Sequence, residues 1–336
     1  MTKKKVDYKS AGVDIESGEE AVDRIKSLAR STFTDKVLTD IGKFGGFFSL
    51  RDIDMDDPIL VSSIDGVGTK LKVASLADKH DTIGEDLVNH CIDDILAGGA
   101  QPLFFLDYIG TGKLSPDIIE QIVSGMARGC KAAGCALIGG EMAEMPGFYQ
   151  SGDYDLVGTI VGVVDRKKVI DGSRIEKGDR LIGLASTGLH TNGYSLARKV
   201  LFDLAGYSID SHIDELGTTV GEALLWTHRC YLQIILSLLQ KFDIHGLSHI
   251  TGGGIYGNTR RILPEGRKIE VDWDSWEMPD LFKLIQKKGE ISDQEMRKVF
   301  NCGIGYVIIV SNQQAPLVLS ELKAVGEKPV EMGRVT

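Results

Sequence analysis

The sequence predicts an α/β (α+β) fold in two domains, and three observations carry that prediction. From about residue 58, short apolar runs alternate with amphipathic stretches of helical spacing, the pattern of strands joined by crossover helices. A chain of 336 residues is long enough for about two domains at roughly 150 residues each. Its 40 glycines, about 12% against a usual ~7%, fall between apolar runs without any period, which means tight turns rather than low complexity.

Residues 1–55 are polar and Gly-rich, with one amphipathic piece, "EEAVDRIKSLAR", and fit either a mobile lid or a disordered tail. "PILVSSID" reads as a buried strand bounded by Pro58 and a glycine turn. "GEDLVNHCIDDILAGGA" reads as a helix, because Leu87, Val88, Cys91, Ile92, Ile95 and Leu96 recur at helical spacing before Gly98-Gly99. "PLFFLDYIG" is a second strand. The next helix, "SPDIIEQIVSGMARGCKAAG", has Ser115 as N-cap, Pro116 at its first position and Gly134 past its end. "CALIGGE" and "YDLVGTIVGVVD" supply two more strands. The polar stretch "DRKKVIDGSRIEKGD" then marks a boundary near residue 170, giving domains 1–168 and 169–336. The second half mixes strands ("RLIGLAS", "IHGLSHI", "GYVIIVS") with helices, of which "TVGEALLWTHRCYLQIILSLLQK" is the longest.

Composition excludes several function classes. A net charge of −10 disfavours nucleic acid or an anionic membrane as partner, although a nest of backbone N–H groups can still hold a small anion. No stretch approaches the ~18 apolar residues of a membrane span. The start, "MTKKKVDYKSAGVD", lacks the apolar run of a secretory signal. Five cysteines without a CxxC pair read as reduced thiols, and the expected location is cytoplasmic.

Three stretches could carry chemistry. "SSIDGVGTK", residues 62–70, holds Asp65, Gly66, Gly68, Thr69 and Lys70 in one turn, with phosphate-loop ingredients but not in the Walker order. Asp65 and Glu141 both sit at strand ends, where ligand groups gather in α/β layers. At 100° per residue Asp94 flanks the apolar stripe of its helix, while Asp93 points more nearly away from it. Carboxylates converging on a glycine turn suit Mg²⁺, and Lys70 would meet phosphates as a point charge. The bland alternative is a solvated acidic face. In "STGLHTNGYSLARK" a glycine turn carries His190 and Asn192 ahead of a helix start that could take an anion. In "HITGGGIYGNTRRILP", Gly252, Gly253 and Gly254 with Asn258 form either a phosphate nest or a flexible turn.

Together "YKSAGVDI", "IDGVGTKLKVA", "HDTIGEDLVNHC", "PLFFLDYIGTGKL", "GGEMAEMPGFY", "HTNGYSLARK", "HITGGG" and "FNCGIGY" resemble the phosphoribosylformylglycinamidine cyclo-ligases, or aminoimidazole ribonucleotide synthetases, from residue 8 to about 306. The resemblance implies ATP-dependent closure of formylglycinamidine ribonucleotide to aminoimidazole ribonucleotide, the fifth step of de novo purine synthesis, through an iminophosphate. It also implies a homodimer whose N-terminal sheets join into a barrel, with ATP in a groove at that interface. Carried over by position, Lys26, Asp65, Gly66, Gly68, Thr69, Lys70, Asp94, Gly139, Gly140 and Glu141 would serve ATP, with Asp65, Asp94 and Glu141 on Mg²⁺. His190, Asn192, Gly252, Gly253, Gly254 and Asn258 would form the substrate side, His190 acting as base. Asp93 stands where familiar members have Asn, and Asn89-His90 where they often have a small apolar pair. The rival readings are another ATP-dependent kinase or ligase of the same superfamily, which includes thiamine-monophosphate kinase and selenophosphate synthetase, and a non-catalytic nucleotide-binding regulator.

Overall fold

The structure, a computed structural model, describes residues 7–336; the first six residues of the expected lid segment lie outside them. The chain divides into two compact units. One takes residues up to 54, 62–91 and 102–161, and the other 55–61, 92–101 and 162 onward.

In the first unit, α1 (Ile15–Arg30) is followed by a long loop and then β1 (Pro58–Gly66), α2 (Lys70–Ala77), α3 (Ile83–Leu96), β2 (Gln101–Thr111), α4 (Pro116–Ala133), β3 (Ala136–Glu144) and β4 (Tyr154–Asp165). Strand β1 begins in the second unit, and helix α3 ends in it. The four strands form one sheet in the order β1-β4-β2-β3, so β1 and β3 are its two edges. Strands β2 and β3 run parallel, with Phe104 opposite Ala136 and Thr111 opposite Glu144, and α4 is the crossover between them. Helix α4 begins after Ser115, with Pro116 in its first turn, and stops where Gly134 adopts φ +69°. Its apolar side buries Ile119, Ile122, Val123 and Met126.

Helix α3 is buried almost all round. It approaches α4 so closely that a Cβ at Gly84 would lie 1.9 Å from the carbonyl oxygen of Ile122. In the N-terminal segment α1 packs on α4, and Glu144 accepts from the backbone N–H groups of Asp14 (2.6 Å) and Leu114 (2.8 Å).

The second unit is built on an antiparallel sheet. Its elements are β5 (Arg180–Ala185), α5 (Tyr194–Arg198, extended by a π turn through Leu204), β6 (His212–Ile213), β7 (Thr218–Thr219), α6 (Val220–Leu224) and α7 (Leu232–Leu239). After them come β8 (Ile244–His249), α8 (Gly254–Thr259), β9 (Ile269–Val271), α9 (Asp280–Gly289), α10 (Asp293–Val299), β10 (Ile304–Val310), α11 (Ala315–Ala324) and β11 (Val330–Val335). Five strands order as β8-β10-β5-β11-β9, every pairing antiparallel. Leu181, Val307, Ile309, Ile304 and Met332 fill one core against Ile250 and Ile255.

Two sequence expectations are corrected. The single helix expected from Thr219 to Lys241 is two short ones, because at residues 225–231 the backbone leaves the helix and the Tyr231 N–H goes to the Asp93 carboxylate. Asp93 does not point away from the core. It is fully buried, since this part of α3 is packed on its polar side too.

Gly84→Ala tests the α3–α4 contact. Alanine normally favours a helix interior by up to ~1 kcal/mol over glycine, yet the steric demand here should make the variant less stable by about 1–3 kcal/mol. Urea denaturation measures it, and a variant as stable as the parent would remove the close approach.

Candidate functional site

The turn after β1 places Asp65 at the strand end, half-exposed, with its Oδ2 2.7 Å from His90 Nε2. The other carboxylate oxygen accepts from the Gly66 N–H at 2.7 Å. Gly68 takes φ +61°, and Thr69 is the N-cap position of α2 without a side-chain capping bond. Lys70 departs from expectation. The first turn of α2 faces inward, so its ammonium is fully buried and pairs with the equally buried Asp86 at 2.7 Å. Burial lowers its pKa, with Asp86 opposing that shift. In this geometry Lys70 braces the turn from inside, through Asp86.

Elsewhere in the first unit a cavity of about 960 Å³ opens between α1, the loop 40–46 and strands β2 and β3. That volume is in the range of small-molecule sites. Lys26, Gly139, Gly140 and Glu141, all expected to serve a nucleotide, line it, together with Lys43 and Asp107. Asp65, Gly66, Gly68, Thr69 and Lys70 do not line it. Asp65 on β1 and Glu141 on β3 stand on opposite edges of the four-stranded sheet. Three strand spacings separate those edges by about 14 Å, so within one chain these two carboxylates do not meet.

Sequence reasoning missed Asp107. It sits mid-strand on β2 opposite Gly140, where a Cβ would come within 2.4 Å of its Oδ1. Burial pushes its carboxyl up to about 7. Only the glycine across the strand leaves room for it, a pairing invisible without the register.

In the second unit the two glycine loops lie side by side. A Cβ at Gly252 would be 3.2 Å from Asn192 Oδ1. Gly253 has φ +100° and Gly254 φ +63° at the start of α8. Asn258 is buried and spent on this loop: its amide donates to the carbonyls of Thr251, Gly252 and Gly254, and its oxygen accepts from the Thr251 hydroxyl. It therefore shapes the nest rather than facing a ligand. His190 is buried at φ +61°, and its Nε2 accepts from the Thr187 N–H at 3.1 Å. Its ring stacks on His228, with centroids 4.0 Å apart. Asn301 of "FNCGIGY", to which no role was given, joins the loops by accepting from Ser186 Oγ (3.0 Å) and Gly303 N–H (2.8 Å) and donating to Gly188 O (2.9 Å).

Asp94 is partly exposed, with its Oδ1 2.8 Å from His249 Nδ1. Neighbouring Asp93 accepts from the Tyr231 N–H at 2.9 Å, and burial holds its carboxyl well above the usual range.

Asp107 yields a pH prediction. A folded-state pKa near 7 against 3.8 unfolded means the native state holds the extra proton between those values. Stability should then fall as pH rises from about 4 to 7. Asp107→Asn should flatten that slope and gain on the order of 1–3 kcal/mol at pH 8. Thermal denaturation of the ligand-free protein across that window checks it, and an unaltered slope would refute it.

Comparison with known proteins covers both units. Residues 51–164 match the N-terminal domain model of the AIR synthase related proteins, and residues 176–336 match the C-terminal one. A phosphoribosylformylglycinamidine cyclo-ligase from Geotalea daltonii is 53% identical over 335 residues, covering 100% of this chain and 96% of the relative. The protein of that name from Geobacter sulfurreducens is 51% identical with the same coverage. Among solved structures, thiamine-monophosphate kinase from Stenotrophomonas maltophilia superposes with a TM-score of 0.68 at 18% identity, over 94% of this chain and 93% of that one. Hydrogenase maturation protein HypE in complex with ATP gives 0.67 at 16% identity, over 94% and 86%. These last two share the α/β fold. On its full-length identity to curated relatives, the chain belongs to the phosphoribosylformylglycinamidine cyclo-ligase family.

Proposed function

We propose that the chain performs the reaction its family is named for: ATP-dependent closure of formylglycinamidine ribonucleotide to 5-aminoimidazole ribonucleotide, with release of ADP and phosphate. The observation that carries this reading is identity of about one half over the whole chain, both domains included. The geometry supports it with a glycine-lined cavity of nucleotide size in one unit and a paired glycine-loop nest in the other. No helix among the described residues is long and apolar enough to cross a membrane.

An amide carbonyl is a poor electrophile, and its oxygen leaves badly. Transfer of the γ-phosphoryl group to the formyl oxygen gives an iminophosphate and ADP. The ribose-linked nitrogen then attacks that carbon, the C–O bond breaks, phosphate leaves, and loss of a proton completes the ring. Such transfer depends mainly on positioning and charge neutralisation. Lys26 and Lys43 at the cavity wall, with the Gly139-Gly140 backbone, are suited to phosphates. Holding both ends of one substrate supplies the intramolecular advantage.

The carboxylates assigned to Mg²⁺ are an all-oxygen donor set, which suits that ion. Asp65 and Glu141 have exposed side chains, whereas Asp94 would have to give up His249. Bound there, Mg²⁺ would neutralise phosphate charge. Because Asp65 and Glu141 stand on opposite sheet edges, the reading requires a homodimer in which one chain's β1 comes near its partner's β3.

His190 is reassigned within this proposal. With Nε2 accepting from Thr187 it holds the substrate loop, and a base role would require that bond to break.

Two measurements test these assignments. ADP release should be strongly stimulated by formylglycinamidine ribonucleotide and accompanied by the aminoimidazole product; a regulator would show no stimulation, and a kinase would stop at a phosphorylated substrate. His190→Gln should raise KM for the ribonucleotide more than it lowers kcat. A kcat loss of about 10²–10⁴ at constant KM, with one limb of the pH profile gone, would instead restore the base.

A further inference from the structure

One carboxylate joins three of the pieces that wall the cavity of the first unit. Glu144 ends β3, and both of its oxygens are engaged: Oε2 accepts from the Asp14 N–H at 2.6 Å and Oε1 from the Leu114 N–H at 2.8 Å. Those residues stand at the starts of two helices. Asp14 is the N-cap of α1, and Leu114 precedes Ser115, the N-cap of α4. The Asp14 side chain accepts from the Ser17 N–H, which is one half of a capping box. The other half needs a Glu or Gln at position 17 to take the Asp14 N–H. Here Glu144, 130 residues on, takes it instead. A negative charge is also favourable near helix N-termini.

The same strand holds the far end of α1. Just past that helix, Thr32 Oγ1 donates to Ala29 O at 2.7 Å and accepts from the Leu137 N–H at 2.8 Å, near the start of β3. The turn before α1 packs at the other end of the strand, where a Cβ at Gly12 would lie 2.8 Å from Pro146 Cβ. Helix α1 is thus bonded to β3 at both ends. Between those bonds lie Lys26 on the helix and Gly139, Gly140 and Glu141 on the strand, all of them lining the cavity.

We propose that Glu144 is a positioning residue for the nucleotide. By bonding the start of α1 and the β2–α4 loop to the end of β3, it sets Lys26 against Gly139, Gly140 and Glu141 before ATP arrives. This rests on the reading of the cavity as the ATP site. The task needs two acceptors. A carboxylate offers them, whereas a Gln amide offers one and turns a donor toward the second N–H. Such preorganisation shows in apparent affinity: a cavity assembled for only a fraction of the time binds more weakly by that fraction, while the saturated complex is unaltered.

The test uses the full chain with saturating formylglycinamidine ribonucleotide. Glu144→Gln should raise KM for ATP about 10-fold and leave kcat within about twofold. Glu144→Ala leaves both N–H groups to water, so it should be no worse than the Gln variant, and it carries the test if that variant fails to fold. Adding Ser17→Glu to Glu144→Ala completes the capping box within α1 without restoring the bond to β3, so KM should stay high. Hydrogen exchange of the ligand-free chains reads the tie without nucleotide: amides of α1 should exchange about 10-fold faster in the Gln variant, while those inside α4 hold. Unchanged exchange in the folded variants would overturn the proposal. So would faster exchange with an unaltered KM, or a KM restored by Ser17→Glu, which would reduce Glu144 to a helix cap. A parent chain that turns over no ATP would instead remove the reading of the cavity, and the nucleotide role of Glu144 with it.

Discussion

The structure depends on one constraint: α3 is buried while carrying polar residues along its length. Burying a carboxylate or imidazole without a partner costs several kcal/mol, so each must be met by something from elsewhere in the chain. Asp86 is met by Lys70, and His90 by Asp65, within the first unit. In the second unit Asp93 is met by the Tyr231 N–H and Asp94 by His249. The helix thus fixes the turn after β1, the break between α6 and α7, and the end of β8. Each of those three lies where regular structure ends.

The same economy shapes the loops. Asn258 and Asn301 are amides whose donors and acceptors go to backbone groups that glycine-rich loops would otherwise leave bare. Glycine supplies the positive φ that such loops need, and a buried amide makes the conformation single-valued. His190 performs a related task with an imidazole, accepting from Thr187 at a positive φ that a non-glycine residue adopts only when its surroundings hold it there.

What the sequence disclosed follows from this division. Local patterns marked α3, α4 and strands β1–β5, β8 and β10, because periodicity and caps are written within a few residues. They also marked the glycine loops, since Gly-Gly-Gly between apolar runs has few other uses. The direction of Lys70 was not legible: a lysine beside a glycine turn resembles a phosphate ligand until its buried partner sixteen positions on, Asp86, is known. Nor was the broken helix at residues 225–231, whose apolar run is continuous and whose interruption is made by Asp93. Asp107 was hidden for a third reason, since its environment comes from the register of a neighbouring strand. In each case the deciding partner lies far away in sequence or across a sheet.

The separation of Asp65 from Glu141 bears on why the proposed dimer would be obligatory. Each lies on an edge strand, and edge strands left open are liabilities that soluble proteins ordinarily blunt with charge, proline or a bulge. Strand β1 has Pro58 and Asp65 near its ends, but between them it leaves Leu60 56% exposed and Ile64 66% exposed. Association through that edge would cover these side chains and satisfy the open backbone groups in one step. It would also bring a carboxylate from each chain toward a common ligand. On this reading the unpaired edge is half of a binding site, and a monomer would lack the second carboxylate however well it folded.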